Sequence, residues 1–283
     1  MPSQRDIRRR ITASRNIRQI TRAMQFVAAS KLRRAQESTL ASRPYSDLLD
    51  EILADLAAVL AGDEHPLLSR RDEGKRLIVL VTSDRGLAGA LNTNAVRFVS
   101  REIVEHPGEL ELVSVGRKGR DAMRRARVPI VAHFSGFGDR PRFEDILPLA
   151  RLISDEYEAG TYNQVDIVFT RFVSTLVQRP DMVQLLPIRP TSDTRGIPGA
   201  QFIFEPAPDL VLDELLPRYV GTRLFQTALE SSASFFSSQM VAMKNATDNA
   251  DELIDDLTLS YNKARQANIT RELIEIASGA RAR

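Results

Sequence analysis

The sequence predicts an α/β chain in which the N- and C-terminal helices pair as a long antiparallel coiled coil and carry an inserted Rossmann-like α/β domain of mostly parallel strands. Three observations predict it. In the last fifty residues Phe236, Met240, Met243, Thr247, Ala250, Ile254, Leu257, Tyr261, Ala264, Asn268 and Arg271 are spaced alternately four and three apart. A 3.5-residue period held that long marks a helix that wraps a partner helix. The N-terminus supplies the partner, because Ile7, Ile11, Ile17, Ile20, Met24, Val27, Leu32 and Ala35 fall mostly three or four apart. Between them, short β-branched runs alternate with helical stretches, the pattern of a sheet covered by helices. The expected divisions are 1–62 for the N-terminal coiled-coil helix, 76–190 for the α/β domain and 209–283 for the C-terminal coiled-coil helix.

Taken in order, the first helix opens at Ser3, with Asp6 placed three residues on as a cap. Pro44 is expected to bend or divide it, and Leu48, Leu49, Ile52, Leu53, Leu56, Val59 and Leu60 resume one broad apolar face up to Gly62. Leu77–Thr82 reads as a buried strand, followed by a Gly-containing turn and a helix to about Val104. Leu110–Val115 is a second strand, Gly116–Arg127 a turn with a short basic helix, and Val128–His133 a third strand. Phe143–Glu158 is a helix, and Val165–Val173 and Met182–Ile188 are two more strands. The Pro-rich stretch from Arg189 to Pro208 is a linker that contains the apolar Phe202-Ile203-Phe204. Asp209 opens the last helix, and Pro217 is expected to bend its first two turns or to delay its true start to about Arg218. Gly279 is the expected stop. A helix of such length is a rod on the order of 100 Å, which calls for a partner.

Composition narrows the function classes. The chain has no cysteine, which excludes disulfides and thiolate metal sites. No run of eighteen apolar residues is present, so a membrane-spanning helix is not expected. Net charge is only +2, yet residues 1–43 carry eleven Lys or Arg against Asp6 and Glu37. A helix that basic needs open water or an anionic neighbour such as an acidic protein sleeve, nucleic acid or a membrane.

The chemistry-bearing motifs are sparse. Ser83-Asp84-Arg85-Gly86-Leu87-Ala88-Gly89 follows the first strand, where α/β sheets bind nucleotides, but lacks the glycine spacing of either phosphate-binding fingerprint. Asp84 and Arg85 are expected to cap and pair locally. Gly116-Arg117-Lys118-Gly119 is a second candidate anion turn at a helix start. His65, His106 and His133 are far apart and form no ligand-like pair. No nucleophile elbow or carboxylate pair is evident, so no catalytic residue, metal or cofactor is expected. A nucleic-acid-binding coiled coil would want aromatics among the basic residues, and only Phe26 and Tyr45 occur in the first fifty. A Rossmann-type enzyme would need the missing phosphate loop.

Three segments carry a family resemblance. Ile17-Arg18-Gln19-Ile20-Thr21-Arg22-Ala23-Met24 with Val27–Gln36, then Thr82–Asn92, and above all Met240–Ala250 with Leu259–Glu272 resemble, in order, the signatures of the F-type ATP synthase gamma subunit. The resemblance implies a non-catalytic rotor of bacterial type. Its coiled coil would stand inside a ring of alpha and beta subunits, and its foot would rest with epsilon on the c ring, coupling proton flow to ATP synthesis or hydrolysis. It implies head contacts at Arg22, Met24, Arg265, Gln266, Thr270 and Glu272, and foot contacts at Phe204 and Glu205. It implies no bound nucleotide and no nucleic acid. Small side chains at Ala28, Ala29, Ala264 and Ala267 are expected on the surface of the shaft. Chloroplast-type members carry a cysteine pair in the linker, absent here. With no transit peptide apparent, the expected place is the cytoplasmic face of a bacterial plasma membrane, peripherally bound.

Overall fold

The computed structural model describes residues 3–59, 65–106, 108–137, 139–189 and 208–281. Its elements are α1 (Gln4–Val59), β1 (Lys75–Val81), α2 (Leu91–Glu105), β2 (Leu110–Val115) and α3 (Arg117–Arg125). They continue with β3 (Ile130–Phe134), α4 (Phe143–Glu158), β4 (Tyr162–Phe172), β5 (Gln178–Leu186) and α5 (Pro208–Arg281). The chain forms two compact units, residues 1–28 with 239–283, and residues 29–238.

In the unit 29–238, the five strands lie in the order β3-β2-β1-β4-β5. β1 runs parallel to β2 and β4, and β2 parallel to β3, while β5 returns antiparallel to β4. The tight turn between β4 and β5 leaves room only for antiparallel pairing, whereas each parallel step carries a crossover. Alternate residues of β1 feed opposite faces. Leu77, Val79 and Val81 join α4 and the parts of α1 and α5 within this unit, including Leu49, Leu53, Ile153, Leu216 and Val220. Ile78 and Leu80 join Ala95 and Val99 of α2 and Met123 of α3. The result is a helix–sheet–helix sandwich with an apolar layer on each side of the sheet.

Neither interior proline of the two long helices divides its helix. α1 passes through Pro44 as one helix, and α5 begins at Pro208 and passes through Pro217 rather than starting after it. A proline inside a helix removes one hydrogen bond and costs about 3 kcal/mol. Buried side chains on either side offset that cost: Ser46, Leu49 and Leu53 follow Pro44, and Leu212, Leu216 and Val220 bracket Pro217. Gly279 likewise fails to stop α5, which reaches Arg281. Gly62 lies outside the described residues.

The other unit is a helix pair. Arg18 Nη1 meets Asp251 Oδ1 at 2.8 Å and Thr21 Oγ1 meets Thr247 Oγ1 at 2.7 Å, so position falls on α5 as it rises on α1. The two segments are antiparallel. The entry to α1 is capped reciprocally, with Asp6 N–H donating to Ser3 Oγ and Ser3 N–H donating to the Asp6 carboxylate. The Ser3 hydroxyl, donating to the Asp6 carboxylate at 2.8 Å, and then the Ser3 N–H hold that carboxyl below its ordinary value.

Candidate functional site

The outer surface of the helix pair is set by which stripe of each helix is used inside. On α5 the expected heptad positions Met243, Thr247, Ala250 and Ile254 are buried. On α1 the buried stripe is Ile7, Ile11, Ser14, Thr21 and Ala28. This corrects the sequence expectation, because Ile17, Ile20 and Val27 are 53%, 59% and 53% exposed. It also moves Ala28, fully buried at 0%, from the surface to the seam. The reason is geometric. Both sets recur every three or four residues, and the small or hydroxyl set lets two helices approach closely enough for the Thr21–Thr247 hydrogen bond. The large apolar set then faces outward, where nothing in this chain covers it among the described residues.

The expected contact residues sit on that outer surface. Arg22 is exposed and Met24 half-buried, one on each side of the inward Thr21 position. Extending the register of the Arg18–Asp251 and Thr21–Thr247 pairs puts Gln4, the first residue of α1, level with about residue 265. From there, among the described residues, α5 has no helix beside it, and residues 265–274 are all exposed. Arg265, Gln266, Thr270 and Glu272 therefore belong to a single-helix extension, apart from Arg22 and Met24. The Thr270 hydroxyl is turned back onto the Gln266 carbonyl at 2.9 Å. Asn268 and Arg271 are exposed rather than in a seam, since the pattern outruns its partner. Ile269, Leu273 and Ile276 continue an apolar 3.5-residue stripe on this extension, 48%, 61% and 70% exposed. Sequence reading missed that stripe as a surface, although its spacing was visible. Phe204 and Glu205 lie outside the described residues.

The second candidate place is the crevice at the carboxyl edge of the parallel strands, where α/β sheets usually hold phosphates. Here Asp84 fills it. Its Oδ1 accepts the N–H of Arg117, the first residue of α3, at 3.0 Å, and its Oδ2 accepts the Gly136 N–H at 2.9 Å. The Arg117 N–H at the start of α3 is a donor that a phosphate would take, so the chain's own carboxylate holds the anion seat of the Gly116–Gly119 turn. Asp84 thus caps α3 and not the helix that follows it in sequence. Arg85 pairs with Asp139, which Lys31 of α1 also meets, and Lys31 Nζ lies 5.6 Å from the Phe236 ring centre. The crowding is tight: Gly116 has φ +90°, and a Cβ there would stand 2.2 Å from the Thr82 carbonyl oxygen. What remains is a cavity of about 290 Å³ bordered by Ser83, Arg85, Phe137, Ser231 and Phe235. Among the described residues, no three His, Asp or Glu are grouped to hold a metal ion, and no helix is long and apolar enough to cross a membrane. The arrangement is one of contact surfaces.

A family model described as ATP synthase matches residues 3–282. The ATP synthase gamma chain of Desulfitobacterium hafniense is 46% identical over 282 residues, covering 100% of this chain and 99% of its own. That of Dehalococcoides mccartyi is 48% identical over 284 residues, with the same coverage. Among solved structures, a chain of the central stalk and c ring of the Tetrahymena thermophila mitochondrial ATP synthase aligns with TM-score 0.63 at 24% identity, covering 80% of this chain and 99% of its own. A rotor chain of the Euglena gracilis mitochondrial ATP synthase aligns with TM-score 0.65 at 18% identity, covering 94% of this chain and 98% of its own. At those identities the structural likeness speaks for the fold.

Proposed function

The chain belongs to the ATP synthase gamma-chain family, and from that premise we propose that it is the rotating central stalk that couples ion flow through a membrane c ring to ATP synthesis or hydrolysis on alpha and beta subunits. The observation that carries this reading is the outward stripe. Ile17, Ile20 and Val27 on the helix pair, and Ile269, Leu273 and Ile276 on the single-helix extension of α5, are large apolar side chains left in water. Exposed apolar surface in a row marks a place where another protein belongs. A surrounding sleeve of subunits covers a rod on all sides, as a single docking partner does not.

Chemistry stays with the partners. The carboxylate of Asp84 in the anion seat leaves this chain no place for a phosphate there. Arg22 and Met24 contact the beta subunits' acidic loops, and the positive charge of residues 1–43 draws them together. Arg265, Gln266, Thr270 and Glu272 meet the upper part of the head, and Phe204 and Glu205 the c ring and epsilon. Functionally the chain divides as 1–62 and 209–283 for the shaft and 76–190 for the foot. The assembly sits peripherally at the cytoplasmic face of the bacterial plasma membrane.

Reconstitution tests the proposal. The chain is mixed with alpha and beta subunits of the same enzyme, and ATP hydrolysis is followed with the full chain and with residues 266–283 deleted. The expected outcome is no hydrolysis by the chain alone and sustained hydrolysis by alpha and beta that depends on it. Deleting the extension should weaken assembly and lower the rate severalfold without abolishing it, because the helix-paired part remains. A chain that neither co-assembles with alpha and beta nor changes their hydrolysis would end the rotor reading.

A further inference from the structure

We propose that the free edge of β3 docks an extended acidic segment of another polypeptide, which adds as a further strand to the sheet. Among the described residues β3 is the outermost strand on its side, hydrogen-bonded to β2 alone. An edge like this presents unpaired backbone groups to any chain that can lie beside it. The opposite edge differs. β5 carries Pro180, which has no N–H to offer, and its Asp181 is tied to Arg171. β3 contains neither device, and Val131 in its middle is 48% exposed.

The charge beside that edge selects the partner. From Arg117 to Arg127 the chain carries six basic residues against one acid, Asp121. Asp121 is already held by Arg120 at 2.8 Å. Arg124, Arg125 and Arg127 are exposed, and none is in an ion pair among the described residues. Arg124 and Arg127 join Arg120 along an open groove of about 450 Å³ whose floor is Val131, Ala132 and His133. The turn that delivers Arg127 is unusual, because its φ is +60°. Glycine is the residue normally found in that left-handed conformation after a helix. The arginine that stands there lines the groove at the cost of a strained backbone.

Two copies of this edge would set arginines against arginines, so self-pairing is disfavoured. A strand with carboxylates on one face and small apolar side chains on the other satisfies both features. Backbone groups pair along β3, carboxylates meet Arg124 and Arg127, and apolar side chains cover Val131. The assignment rests on this unit alone and does not depend on the stalk reading.

The test uses the full chain with labelled peptides of about twelve residues, long enough for one strand. One alternates glutamate with valine and the other lysine with valine. The acidic peptide should bind, slow amide exchange across residues 130–134, and lose affinity as salt is raised. The lysine peptide should do none of these. Arg124→Glu with Arg127→Glu should weaken binding at least about tenfold, with unchanged circular dichroism showing that the fold survives. Lys118→Glu with Arg125→Glu, the same charge change made off the groove, should cost less than about threefold. Equal losses from both variants would mean a diffuse electrostatic field and overturn the proposal. So would binding without slowed exchange at 130–134, or arginine-dependent binding to anionic vesicles in place of the peptide.

Discussion

The helix pair and the α/β body use burial in opposite ways. In the body the innermost side chains are large: Tyr157, Ile153, Leu149, Leu112 and Ile78 are all essentially inaccessible. In the helix pair the buried stripe runs through Ser14, Thr21, Ala28, Thr247 and Ala250 with Ile7, Ile11 and Ile254, and the large apolar residues of the middle of α1 face out. The body packs its largest side chains into its core and leaves only scattered apolar residues such as Leu87, Val104 and Leu176 exposed on its surface. The helix pair spends small side chains on close approach and leaves hydrophobic material for something outside. A part that must stand alone and a part that must be gripped are thus separable by where the large side chains point.

Three changes sharpen or break that contrast. The largest effect belongs to the body. Ile153 is 0% exposed between α4 and the sheet. Ile153→Ala should destabilise that unit against unfolding by about 2–5 kcal/mol, the range for a buried cavity-forming truncation. Urea titration read by the tyrosines checks it, and a loss under about 1 kcal/mol would show that the body is not the rigid partner in the comparison.

A smaller effect is expected from the seam. Replacing Thr21 and Thr247 together by Val removes both hydroxyls of the buried pair and leaves no orphan. Since removing both partners is close to neutral, the double variant should change thermal stability by about 1 kcal/mol or less. Thr247→Val alone should cost more than the double variant, because the Thr21 hydroxyl loses its cross-helix partner. A double-mutant cycle followed by circular dichroism gives the coupling, and a double variant worse than either single would mean the seam is as exacting as the body.

The smallest effect is electrostatic. Glu230 of α5 lines a recess with Arg171, Tyr219 and Arg223. Burial pushes its carboxyl up, against the lowering pull of Arg171 and of the Phe172 backbone. A raised folded value means the native state favours the protonated acid. The stability this contributes is complete below the ordinary carboxylate range and is lost as pH rises through the raised value. Glu230→Gln removes the cost of burying the charge, so the variant should be the more stable by about 1 kcal/mol or less at neutral pH. The difference should shrink toward zero in acid. A variant less stable than the parent at neutral pH would assign Glu230 to an ion pair that holds the fold.

Much of this architecture was legible before any coordinates, because local chemistry determined it. The β-branched runs at 77–82 and 110–115 are strands, and Phe143–Glu158 is a helix to the residue. Met243, Thr247, Ala250 and Ile254 are a seam, and Ser3 with Asp6 is a cap. After β1, where the sequence has no glycine fingerprint, the Asp84 carboxylate takes the Arg117 and Gly136 N–H groups. The strands, the helix, the seam and the cap each follow from spacing or residue type within a few positions, and the sequence by itself contains that information.

Tertiary structure decided the rest. Two stripes on α1 share one period, and only the facing helix chose Ser14, Thr21 and Ala28 over Ile17, Ile20 and Val27. Asp84 could have capped its own helix, and only the parallel order of β1, β2 and β3 brought the N–H groups of Arg117 and Gly136 to it. Helix continuity through Pro217 was likewise settled by buried neighbours rather than by the proline. In each case two local solutions were close in energy. Contacts between residues distant in sequence, worth more than the difference, made the choice.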